Sequence, residues 1–150
     1  MDCGIGARAW RACDVDMMGA LHRAGYSSDT IGVLDVAPLI EVAWADGHVT
    51  PAERLSILEQ AVACGIDGGP AYQWLLDLLA RHPSQRFFAT SLGAIRVGLS
   101  AAAPEERRTA ARRLAALCVA IATTSRSAAG RRIAAWERGA IRRILATIAR

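Results

Sequence analysis

Thr50-Pro51-Ala52-Glu53-Arg54-Leu55-Ser56-Ile57-Leu58-Glu59-Gln60-Ala61-Val62-Ala63-Cys64-Gly65-Ile66 reads as one complete helix with both ends encoded. The Thr50 hydroxyl can accept an otherwise unpaired amide of the first turn, and Pro51 suits the first helical position because it has no N–H to leave unpaired. Glu53, three residues after Thr50, completes a capping box. Leu55, Leu58 and Val62 recur at three- and four-residue spacing and are expected on the buried stripe. Gly65 supplies the left-handed residue that stops a helix, with apolar Ile66 behind it in the manner of a Schellman motif. A helix over 51–63 follows.

Working outward, the same period governs the rest of the chain. Upstream, Pro38 fits the first turn of a helix running to Ala45, since an interior proline would break it. Before that helix, Gly25-Tyr26-Ser27-Ser28-Asp29 is turn-like, and residues 1–28 are expected as an N-terminal extension with one loosely held helix. Downstream, Asp67-Gly68-Gly69-Pro70 turns into a helix with Trp74, Leu75, Leu78 and Leu79 inward, closed by His82-Pro83. Further helices are expected over 84–100 and over 104–123, the latter opened by acidic Glu105 and Glu106 as the helix dipole favours. After a polar loop over 125–130, a last helix over 132–149 places Ile133, Trp136, Ala140, Ile141, Ile144 and Ile148 on one stripe. Sustained period-two alternation is missing. The expected fold is an all-α, single-domain bundle of about six to seven helices, with residues 29–150 as the domain.

The chain of 150 residues is 53% apolar, enough for one core without metal or disulfide staples. All 18 basic residues are Arg, and Lys and Asn are both missing. Their codons are AT-rich, so a GC-rich bacterial genome is the expected source. Residues 1–104 hold seven Arg against eleven acidic residues, net −4, whereas residues 105–150 hold eleven against three, net +8. Two complementary halves folded on each other account for that asymmetry, and an anionic partner for the basic half is the alternative. Cys3, Cys13, Cys64 and Cys118 show no metal or redox spacing and are expected as buried thiols. The N-terminus lacks an apolar h-region, and Arg96 interrupts the apolar stretch over 87–103, so the expected location is the cytoplasm rather than a membrane span.

Val42-Ala43-Trp44-Ala45-Asp46-Gly47-His48-Val49-Thr50-Pro51-Ala52-Glu53-Arg54 resembles the signature of the tellurite-resistance TerB family, in which one helix ends in Ala-Asp-Gly and the next opens seven residues later with Glu. The resemblance implies an all-helical fold of two similar halves in a pseudo-two-fold arrangement, each with such a helix-loop-helix, whose acidic loops are proposed to bind divalent cations. The second copy falls near Leu117-Cys118-Val119-Ala120-Ile121-Ala122-Thr123-Thr124, with Glu137 as its glutamate and Thr123-Thr124 where Asp-Gly is expected. The resemblance further implies a bacterial cytoplasmic protein of stress response or assembly at the inner membrane surface, not an enzyme. A related module forms the N-terminal part of some membrane-anchored co-chaperones.

Three constellations follow from the residues themselves. Asp46, Gly47, Val49 and Glu53 fit part of an EF-hand loop, but Val42 and Trp44 stand where ligands are required, which excludes that motif. Capping accounts for Gly47, Thr50, Pro51 and Glu53. A weak Ca2+ or Mg2+ site of Asp46, a backbone carbonyl and Glu53, with His48 as a nitrogen ligand, is the alternative. Gly4-Ile5-Gly6-Ala7-Arg8-Ala9 matches a dinucleotide pattern by chance, since no strand can precede it. Arg107, Arg108, Arg112 and Arg113, with Arg138, Arg142 and Arg143, form a basic face that could meet phosphates. No aromatic interleaves them, so solvated faces partly paired with Glu105, Glu106 and Glu137 are preferred, and nucleic acid is not the expected partner. Trp10, Trp44, Trp74 and the tyrosines read as core or interface anchors. The expected function is a TerB-like binding or scaffold module with a protein partner and peripheral contact with an anionic membrane surface. The alternative is a basic binder of nucleic acid or anionic lipid.

Overall fold

The computed structural model describes residues 5–124 and 135–149. Among the described residues the chain forms eight α-helices and one 3₁₀ helix, with no strand. They are α1 (Ile5–Ala12), α2 (Val15–Ala24), the 3₁₀ helix (Ile31–Asp35), α3 (Ala37–Ala43), α4 (Pro51–Ala63), α5 (Gly69–Ala80), α6 (Gln85–Ser100), α7 (Pro104–Thr124) and α8 (Ala135–Ala149). The all-α bundle expected from periodicity is therefore present, with more helices than the expected six to seven. Cys3, Gly4, the loop over 125–130, Arg131, Arg132, Ile133 and the side chain of Trp136 lie outside the described residues.

The additional helices come from the N-terminus. Where the sequence suggests one loosely held helix, the chain forms α1 and α2, separated at Cys13-Asp14 because the Asp14 carboxylate accepts the Met17 amide at 2.8 Å and starts a new helix. Ala9 and Leu21 are fully buried, and both helices pack on α6. The approach is close: a Cβ on Gly98 of α6 would stand 2.9 Å from the Ala9 backbone, and one on Gly6 would stand 2.5 Å from the Ile31 carbonyl oxygen. Gly6 also donates its amide to Asp35 Oδ1 at 2.9 Å. Close packing, not a nucleotide, thus accounts for the glycine of the chance motif.

Helix α3 is the centre of the molecule. Every residue from Ala37 to Ala43 is buried, Glu41 included, as expected of a helix that is apolar nearly all round. It packs against α4, α6, α7 and α8. The pairing of its hairpin α3–α4 with α7–α8 is reciprocal: α3 lies on α7, α4 on α7, and α8 on α3. On α8 the expected stripe holds, with Ala140, Ile141, Ile144 and Ile148 buried. On α5, Leu75, Leu78 and Leu79 point inward as expected.

Helix α4 has the expected bounds but a different buried face. Glu53, Ile57 and Ala61 face inward, while Leu55 is 59% and Val62 52% exposed. Leu58 is half-buried at the edge of the core. The sequence offers two apolar lines about a third of a turn or more apart, and packing against α3 and α7 selects the one with the small Ala61. The Schellman stop is present: Gly65 has φ 91°, its amide donates to the Val62 carbonyl at 3.0 Å, and the Ile66 amide donates to the Ala61 carbonyl at 2.8 Å.

Aromatic anchors complete the core. The Tyr26 hydroxyl and Ser91 Oγ lie 2.7 Å apart, and Ser91 donates to the Phe87 carbonyl at 2.8 Å, so the buried hydroxyls are satisfied. The Tyr26, Trp74 and Phe87 rings meet edge-on and stacked. Trp44 Nε1 donates to the Leu78 carbonyl at 2.9 Å, tying the end of α3 to α5.

Candidate functional site

The loop between α3 and α4 brings Asp46, His48 and Glu53 into one neighbourhood. Gly47, at φ 95°, turns the chain after α3 and donates its amide to the Trp44 carbonyl at 2.9 Å. Asp46 Oδ1 accepts the His48 amide at 3.3 Å and lies 3.7 Å from His48 Nδ1, on a largely exposed imidazole. The capping box is complete: the Thr50 amide donates to Glu53 Oε1 at 2.8 Å, and the Glu53 amide donates to Thr50 Oγ1 at 3.1 Å.

Glu53 itself is fully buried, and its Oε2 has no hydrogen-bond partner among the described residues. Burial pushes its carboxyl above the ordinary range, the two Thr50 hydrogen bonds pull it down, and the charges of Asp46 and Glu137 push it up again. Glu137, in the first turn of α8, is thus an electrostatic neighbour of Glu53 in the first turn of α4. Glu137 is only 1% exposed, so it does not lie on a solvated face. Its position four residues before Ile141 puts it on the buried stripe of α8, and only its polarity hides this in the sequence. Among the described residues, no group of three or more His, Cys, Asp and Glu side chains is arranged to hold a metal ion. With Glu53 Oε1 on Thr50 and Asp46 on His48, capping and turn formation account for the loop.

The arginines are dispersed in role. Arg108, Arg112, Arg138 and Arg142 are exposed, and Arg107 and Arg113 half-buried. Arg108 lies 4.0 Å from Glu105, and Glu106 pairs instead with Arg8 of α1 at 3.2 Å. Arg143 reaches inward, donating from Nη2 to Glu41 Oε2 at 2.5 Å, although its side chain is 55% exposed. Glu41 is 6% exposed, and its Oε1 has no hydrogen-bond partner among the described residues. The ion pair therefore fastens α8 to the central helix and removes Arg143 from the outward basic face. The sequence carries half of the signal, since Glu41 is the single charge in Ala37–Ala43, but its partner is 102 residues away.

Among the described residues, neither free thiol, Cys13 nor Cys118, is activated. Burial, then the Glu41 charge, pushes Cys118 up to about 12, and burial with Asp14 raises Cys13. A reactive cysteine requires the opposite shift. Cys64 departs from the expectation of buried thiols throughout, because it is disulfide-bonded. Between α1, the 3₁₀ helix, α4, α6 and α7 lies a half-open cleft of about 590 Å³. Ile5, Leu99, Leu114 and Leu117 form its apolar lining, and Arg8 and Glu106, already paired, stand among its polar residues.

No protein-family profile matches the chain, and no curated protein or solved structure matches it.

Proposed function

We propose that this chain is a TerB-like helical binding module acting through protein contacts, in a bacterial stress response of the tellurite-resistance kind at the cytoplasmic face of the inner membrane. One observation carries the reading: α3–α4 and α7–α8 pack reciprocally, and α4 and α8 each hold a buried glutamate in the first turn, Glu53 and Glu137, with the Glu137 charge among those that raise the Glu53 carboxyl. A pair of such hairpins is what the Ala45-Asp46-Gly47 to Glu53 motif implies, and the packing supports that reading. The reading is non-catalytic. Crosslinking in the native cell, followed by capture and mass spectrometry, tests it. A protein crosslinked in stoichiometric yield, and retained after nuclease and detergent treatment, is expected. Recovery of nucleic acid or lipid alone would overturn it in favour of the basic-binder reading.

The compartment is tested separately. Disulfides persist in oxidising surroundings, so the bond at Cys64 does not favour a reducing cytoplasm. Trapping thiols in intact cells should find Cys64 reduced if the cytoplasmic part of the proposal holds. A quantitatively oxidised Cys64 would place the protein elsewhere.

A further inference from the structure

Among the described residues, the outer face of α4 carries Leu55 and Val62 more than half uncovered. Leu55 is 59% and Val62 52% exposed, and with half-buried Leu58 and exposed Pro51 they stand at positions 51, 55, 58 and 62. That alternation of four, three and four is the seam of a two-helix coiled coil, not the wider stripe of a helix packed on a core. Arg54 and Glu59, both exposed, flank the seam on opposite sides and are five residues apart.

The flanking charges identify the occupant. In a parallel pair of helices, a residue flanking the seam meets the residue five positions further along the opposite helix. Arg54 of one copy then faces Glu59 of the other, and symmetry supplies the reciprocal pair. An antiparallel pair would set Arg54 against Arg54 and Glu59 against Glu59, like against like. We propose that α4 docks in parallel against α4 of a second copy of this chain, with Leu55, Leu58 and Val62 as the seam and two Arg54–Glu59 pairs fixing its direction. So few side chains cover less than the roughly 800 Å² per partner of a stable interface, which makes the dimer weak and concentration-dependent. The inference goes beyond the binding-module reading and does not depend on it: failure to capture another protein leaves it standing.

Sedimentation equilibrium of the full chain over a concentration series at low salt tests the proposal, with circular dichroism confirming that each variant is folded. Wild type should pass from monomer to dimer as concentration rises. Leu55→Gln should abolish the transition. Arg54→Glu and Glu59→Arg, each alone, should raise the dissociation constant about tenfold or more, because each sets like charges together. Mixing those two variants should restore dimers, now heterodimers identifiable by native mass spectrometry. In the heterodimer both like-charge contacts are gone: the two carboxylates of the first variant each face an arginine of the second. A wild type that stays monomeric overturns the proposal. So does a dimer indifferent to Leu55→Gln, or charge variants whose mixture is no tighter than either alone.

Discussion

Glu53 is the residue at which local and tertiary demands meet. Its capping role is legible in the sequence, because Thr50 and Glu53 three residues apart satisfy each other's amides whatever surrounds them. Its burial is not, since that depends on where α7 and α8 lie. Thr50→Ala should therefore cost about 1 kcal/mol in chemical denaturation, the usual loss of an N-cap. A pH dependence belongs to Glu53. Its folded carboxyl lies above the ordinary value that the unfolded chain keeps, so across that window the folded state holds a proton the unfolded state has lost. Stability from this group is therefore fully present below the unfolded value and is lost as pH rises through the folded one. Relative to Glu53→Gln, wild type should gain stability as pH falls from neutral into the carboxylate range. A stability difference that is flat with pH would show that Glu53 does not titrate abnormally.

Helix boundaries are legible because caps are local: Pro51 to Ala63 and the Gly65 stop stand where Thr50, Glu53 and Gly65 put them. Helix orientation is less so. On α4 the leucines point to the wrong line, for helical periodicity can show that a face is apolar but not which partner it meets. The N-terminal residues are easily undervalued for a related reason, because α1 is short and docks through small residues that carry little hydrophobic signal. Gly98→Ala tests that docking. With the Ala9 backbone 2.9 Å from the added methyl, α1 must shift off α6, and a loss of about 1–3 kcal/mol is expected in thermal or chemical unfolding despite the better helix propensity of Ala. An unchanged or raised stability would mean that α1 is not held against α6.

At the scale of the whole molecule, the charge asymmetry between the two parts of the sequence is met in part internally, by Arg143 on Glu41. Long-range pairing of this kind leaves no trace in sequence spacing, which is why the basic face looks more continuous in the sequence than it is. Binding to DNA, RNA or anionic vesicles should accordingly be weak and vanish near physiological salt, as titrations at increasing ionic strength would show. Affinity that survives there, and is lost when Arg108, Arg112, Arg138 and Arg142 become Gln, would favour the basic-binder reading. The reciprocal arrangement of the two hairpins is tested most directly by a double-mutant cycle on Glu53→Gln and Glu137→Gln, followed by denaturant unfolding at neutral pH and again in acid. If the two buried carboxylates face each other across the hairpins, each substitution relieves the other, and the effects should depart from additivity by about 0.5 kcal/mol or more at neutral pH, shrinking in acid as the charges disappear. Additive effects at both pH values would mean that Glu53 and Glu137 do not meet, and the duplicated arrangement would lose the observation on which it stands.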